Sequence, residues 1–97
     1  MKKFSNKGSL TKENIDKIPA DKPIIYKIKN LAGDNIYTGI AKKGRVPERL
    51  KEHLLGSKDA IPGAKTFSIK QKLSIKSAER EEKRIIKDET PKYNKQK

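Results

Sequence analysis

A small α+β domain is expected, with a three-stranded mixed or antiparallel sheet flanked by helices, and three observations lead there. Two runs of period-2 residues, Ile24 to Lys29 and Ile36 to Ile40, are separated by Gly33-Asp34, the pattern of a β-hairpin. A further run, Lys65 to Leu73, places Phe67, Ile69 and Leu73 on one face of a third strand. Near the end, Ala78, Ile85 and Ile86 follow helical spacing. A chain of 97 residues can bury one modest core without disulfides. Residues 1–21 read as a basic N-terminal tail with a short helix, and 22–97 as the domain proper.

Met1 to Ser9 is polar, lysine-rich and aperiodic, and is expected to be mobile. Thr11 then caps a short helix, Leu10 and Ile15 occupy the two positions of a hydrophobic staple, and Pro19 stops the helix after Ile18. That helix would lean on the sheet through Ile15 and Ile18. With Gly33 and Asp34 as the central turn residues, Ala32 pairs with Asn35 and Tyr26 falls opposite Ala41. Tyr37 and Gly39 then share the face of Tyr26.

After the hairpin, Pro47 suits the first turn of a helix, with Glu48 at its positive end and Gly56 ending it. Val46, Leu50 and Leu54 form its buried stripe. Arg49 and His53 share i, i+4 spacing along the adjoining edge, so both can face one point. Gly56 to Gly63 reads as a surface loop. Ser77 is the expected cap of the last helix, although Arg80 stands where a capping box would prefer Glu, which leaves that boundary open by a turn. Glu82 falls in the middle of this helix's apolar stripe, where an ionised group is costly unless paired, hydrogen-bonded or bound to a metal. Glu79, Glu81 and Glu89 read as ordinary outer-face charges. Pro91 closes the helix, and Tyr93 and Asn94 follow it.

Lys and Arg number 25 against 12 Asp and Glu, a formal charge of +13. At this length such an excess favours an acidic polymer as partner, nucleic acid ahead of a membrane surface. There is no cysteine, which excludes disulfides, thiolate zinc sites and thiol nucleophiles. With His53 the single histidine, any metal falls to oxygen ligands, hence to a hard dication such as Mg2+. No run has the apolar length of a signal sequence or a membrane span, so a cytoplasmic protein is expected, unless it is delivered as part of a larger effector.

The segment IIY (Ile24 to Tyr26), followed eleven residues on by YTG (Tyr37 to Gly39), resembles the paired motifs of the GIY-YIG endonuclease family. RLKEH (Arg49 to His53) resembles that family's Arg and following helix. EKRIIKDETPKYN (Glu82 to Asn94) resembles its distal Glu with Pro-x-Tyr-Asn beyond it. The resemblance covers residues 23–94 and departs at Ile24, where the first motif has Gly, and at Thr38 in the middle of the second. Arg49 also sits further from Tyr37 than usual, an offset that the Lys42-Lys43-Gly44 loop would absorb. The stretch Ile18 to Ile75 is similar as well to nuclease domains at the ends of bacterial polymorphic toxins.

A phosphodiester can be hydrolysed by one divalent metal, a positioned water with a proton acceptor, and a cation on the phosphate oxygens. The residues offer Glu82 for the metal, Arg49 for the phosphate, and Tyr26 or Tyr37 for the proton, roles the resemblance assigns to the same positions. A phenol with an ordinary pKa near ~10 needs a metal or nearby cations to serve as base. Tyr26 is preferred as base and Tyr37 as phosphate contact, with His53 beside Arg49. Lys42, Lys43 and Arg45 would track a nucleic-acid backbone. Asn94, matching the family's terminal Asn, would complete that side by supporting the site's geometry.

The resemblance thus implies a metal-dependent endonuclease acting on DNA, with Mg2+ or Mn2+ as cofactor. It would stand alone or as a toxin-type effector domain, with a larger parent chain, a partner subunit or an inhibitory immunity protein as further partners. The alternative is a nucleic-acid-binding domain of the same fold without catalysis, for which Ile24 and Thr38 are the motive. A ribosomal-protein-like structural module would explain the charge but not Glu82.

Overall fold

The computed structural model describes residues 5–18, 21–42, 44–51, 61 and 63–94, with the side chains of residues 5–7, Val46, Pro47 and Arg49 outside the description. Along the chain these form β1 (Ser5–Ser9), α1 (Lys12–Asp16), β2 (Ile24–Lys29), β3 (Asn35–Ala41), α2 (Val46–Lys51), β4 (Thr66–Gln71), α3 (Ile75–Glu89) and a 3-10 turn, Lys92–Asn94. The architecture is α+β. Its sheet has four strands rather than three, in the order β1-β4-β2-β3, and every neighbouring pair is antiparallel.

The extra strand comes from the segment expected to be a mobile tail. Ser5–Ser9 pairs with β4 through Ser5↔Ile69, Gly8↔Phe67 and Ser9↔Thr66. Without it, β4 would present a row of unpaired backbone groups at the sheet edge, and a short polar strand with a lysine covers that edge without inviting further pairing. Periodicity could not reveal it, because a strand held by backbone hydrogen bonds at an edge needs no apolar alternation.

The hairpin forms, with its register two residues from the expected one: Tyr26 pairs with Gly39, and Ile24 with Ala41. Asn30 starts the turn early. Its carbonyl accepts from Gly33 N (3.0 Å), its N–H donates to the Asp34 carbonyl (3.1 Å), and its side-chain Oδ1 accepts from Asp34 N (2.9 Å). Gly33 closes that turn at φ 89°, a conformation that glycine adopts at little cost. An even shift leaves each side chain on its expected face, so Tyr26, Tyr37 and Gly39 do share one.

Alternation divides the core into two layers. Ile24, Tyr26, Ile28, Ala41, Phe67 and Ile69 pack against Ile15 and Ile18 of the α1 region, Leu50 of α2, and Ile61. The opposite face carries a smaller cluster, Ile25 with Ala78 and Ile85 of α3, flanked by Ile40 and Ile75. Thr11 caps α1 as expected, its side chain accepting from Asn14 N at 3.2 Å.

Two expectations at the start of α3 are corrected. The cap is Ser74, whose Oγ accepts from Ser77 N at 3.2 Å, so the helix begins one turn before Ser77. Leu73 is 86% exposed, because β4 ends at Gln71 and the chain turns away before reaching it. Leu54 and Gly56, expected on α2 and at its end, lie outside the described residues.

Candidate active site

The two tyrosines reach one face from adjacent strands. Tyr26 is fully buried in the sheet's centre, whereas Tyr37 is half-buried on β3, the edge strand. Their ring centroids lie 6.2 Å apart with the planes tilted by 32°. Gly39 makes this possible: a Cβ there would stand 2.5 Å from the Tyr26 Oη, 2.6 Å from its Cζ and 3.0 Å from Tyr37 Cε2. The Tyr26 ring therefore crosses directly over the Gly39 backbone. A strand glycine often marks such a close approach, and Tyr26 and Gly39 on one face was the signal that could have found it.

The edge strand is held from outside by Asn94. Its Oδ1 accepts from Thr38 N at 2.6 Å and its Nδ2 donates to the Thr38 carbonyl at 2.9 Å, so one amide side chain imitates a neighbouring strand. Asn94 is buried. The amide fixes the strand that carries Tyr37. Thr38 is buried too, and its Oγ1 accepts from Asn35 Nδ2 at 2.7 Å.

Helix α3 approaches the other face of the sheet, so Glu82 and the tyrosines come from opposite layers. Glu81 faces β4, where its carboxylate meets Lys70 and Lys72, while Glu79 lines a groove with Ile40, Ala41, Lys42, Arg45 and Ile75 beside the end of β3. Glu82 is three residues from Glu79 and seven from Ile75, which places it on that same β3 flank of the helix. It is half-buried. Tyr37 belongs to the tyrosine-side layer of the same edge strand, and Glu82 to the helix layer on its other face.

The groove encloses about 330 Å³. Lys42 and Arg45, both exposed, stand at its mouth, and Arg45 Nε pairs with Glu48 at 2.8 Å. Arg49 lies on α2 next to the buried Leu50. Its side chain, together with His53 and Lys43, falls outside the described residues.

Sequence reasoning missed the work of two carboxylates it set aside. Burial pushes the Glu81 carboxyl upward, but hydrogen bonds from Lys72 (2.6 Å) and Lys70 (2.9 Å) and their charges outweigh it and hold the group below the ordinary value. Glu89 behaves alike: burial is outweighed by hydrogen bonds from Asn35 (2.9 Å) and Lys27 (3.0 Å) and by the charges of Lys27 and Lys29. These two residues tie α3 to the sheet at its middle and at its C-terminal end. Lysines within strands on the α3 face, rather than on open surface, were the available signal.

No protein-family model matches the chain, and no curated protein does. A solved structure does match: the GIY-YIG N-terminal endonuclease domain of UvrC from Thermotoga maritima, a point mutant bound to its catalytic divalent cation. The TM-score is 0.60 with 26% identity, over 86% of this chain and 97% of that one. The chain has the GIY-YIG endonuclease fold. Among the described residues no helix of this GIY-YIG-like domain is long and apolar enough to cross a membrane.

Residues fit for such a metal can be judged by donor chemistry. Among the described residues no three His, Asp or Glu side chains converge. A single half-buried carboxylate, Glu82, is nonetheless what Mg2+ commonly uses, keeping its waters and adding substrate phosphate oxygens.

Proposed function

We propose that this GIY-YIG domain is a divalent-metal-dependent endonuclease that hydrolyses phosphodiester bonds in DNA, with Mg2+ as the working ion and Mn2+ as a substitute. The reading is supported by one observation: Tyr26 and Tyr37 stand 6.2 Å apart on one sheet face over Gly39, in a fold that matches a nuclease domain bound to its catalytic divalent cation. The charge of +13 supplies the attraction for a polyanion.

In this reading Tyr37 takes the proton of the attacking water and Tyr26 positions it. The sequence favours the reverse assignment, but Tyr26 is 0% exposed and its hydroxyl is packed on Gly39, whereas Tyr37 is half-buried on the edge strand. Arg49 would set its guanidinium fork on the phosphate oxygens, with His53 a turn further along. Glu82 would hold the dication, which when bound supplies positive charge for the developing oxyanion and acidifies the water. Asn94, by clasping Thr38, keeps the Tyr37 strand in place.

The alternative, a binding domain without catalysis, drew on Ile24 and Thr38. Both are fully buried: Ile24 packs in the tyrosine-side core, and Thr38 is enclosed by Asn35 and Asn94. Neither change removes a group the chemistry needs. Whether the domain works alone or as the effector end of a longer chain with an inhibitory partner is a question of context, and the proposed cleavage is common to both.

Plasmid nicking with Mg2+, with Mn2+ and with chelator tests the proposal. Glu82→Gln is expected to lower the rate by orders of magnitude while DNA binding survives, since an amide is a poor metal ligand but keeps hydrogen-bonding capacity. Nicking by this variant near the wild-type rate would remove Glu82 from the site.

A further inference from the structure

The two flanks of α3 differ in sign. Beyond the β3 flank, which carries Glu79 and Glu82, the outward face presents Lys76, Arg80, Lys83 and Lys87, all exposed. Their spacing of four, three and four residues draws one basic ridge along the helix. On the β4 flank the ridge descends into a cleft of about 410 Å³ lined by Lys70, Lys72, Ser77, Arg80, Glu81 and Arg84.

Within that cleft one carboxylate serves three cations. Glu81 lies 2.6 Å from Lys72, 2.9 Å from Lys70 and 3.5 Å from Arg84, and Arg84 leans also toward Asp88 at 3.6 Å. Arg80 has no ion-pair partner among the described residues. The Lys70 and Lys72 side chains are only 14% and 19% exposed, so water screens their surplus charge poorly. A concave wall of net positive charge focuses the field and raises the local concentration of a counter-anion. An anion with several oxygens can meet lysine and arginine donors together.

We propose that this cleft and the ridge beside it hold the phosphate backbone of a nucleic acid, as a second contact across α3 from the reacting bond. The polymer's identity as DNA rests on the nuclease reading above. Helix α3 is about 10–12 Å across, close to the ~12 Å width of a duplex major groove. One flank can therefore face the strand to be cut while the other grips the opposite backbone.

The test uses the whole chain with the exchange Arg80→Glu/Lys83→Glu, both exposed positions, and Arg80→Gln as a milder second variant. Duplex binding is read by fluorescence anisotropy in chelator across a salt series, so it does not depend on cleavage. The double variant is expected to bind at least tenfold more weakly at low salt, with the slope of log K on log salt shallower by about 1–2, since each lost phosphate contact removes about 0.9. Hydrolysis of bis-p-nitrophenyl phosphate with Mg2+, a substrate too small to reach the cleft, should stay unchanged.

An unaltered slope in both variants overturns the proposal. So does displacement of duplex from wild type, but not from the variant, by inorganic phosphate at matched ionic strength, which would make the cleft a small-anion site. Loss of poly-glutamate binding with DNA binding intact would assign it to an acidic protein instead. Failure of the wild type to nick DNA at all would refute the nuclease reading while leaving the slope result standing.

Discussion

The two faces of the sheet are closed by different physics. On the tyrosine face a continuous layer of isoleucines with Phe67, Leu50 and Tyr26 excludes water, and its fit is tight enough that one position admits no Cβ. On the α3 face the apolar contact is small, and the helix is fastened by Lys70 and Lys72 to Glu81, by Lys27 and Asn35 to Glu89, and beyond its end by Asn94 to Thr38. The first face supplies stability that varies little with conditions. The second holds a helix whose hold depends on pH and salt, and that helix carries Glu82.

The contrast is broken most strongly by adding volume to the tight face. Gly39→Ala puts a methyl group against the Tyr26 hydroxyl, and overpacking of this kind costs about 3 kcal/mol. Urea unfolding should show that loss, and the displaced Tyr26 should slow nicking as well. A stability equal to wild type would mean the two tyrosines can move apart freely.

A smaller effect is expected from unfastening the charged face. Glu81→Gln leaves Lys70 and Lys72 without their carboxylate, and should lower stability by about 1–2 kcal/mol, below the figure for a fully buried pair because the group retains contact with water. The loss should shrink in high salt, whereas that of Gly39→Ala should not.

Acid should reproduce this without mutation. The Glu81 and Glu89 carboxyls titrate below the ordinary value of 4.5, so their contribution is complete above that value and is lost as pH falls through their lower folded-state values. Thermal stability is therefore expected to hold from neutral pH to about pH 5 and to drop below about 4.5. In hydrogen exchange α3 should lose protection before β2 and β4 do; simultaneous loss would show that the charged contacts do not set the helix's stability.

The smallest expected effect has the opposite sign. The Ser68 hydroxyl is buried on the α3 face without a hydrogen-bond partner among the described residues, and removing an unsatisfied polar atom avoids a desolvation cost of about 1 kcal/mol. Ser68→Ala should raise the melting temperature by a few degrees at most. A fall would mean that the hydroxyl fills space the methyl group leaves empty.

What the sequence determined by itself is whatever follows from local periodicity and turn chemistry. Alternation gave β2, β3 and β4 and set Tyr26, Tyr37 and Gly39 on one face, because the period of a strand is fixed by its geometry and survives an even register error. Thr11 capped α1 as expected, and motif order anticipated the fold. Tertiary structure alone decided the rest. Asn30 moved the turn because a side chain competed for backbone groups; Ser5–Ser9 became a strand because β4 left an edge to pair. Glu81 and Glu89 became fasteners because residues distant in sequence placed lysines opposite them. The burial that separates Tyr26 from Tyr37 likewise came from the order of strands, since identical alternation puts one phenol in the centre of a sheet and the other at its rim.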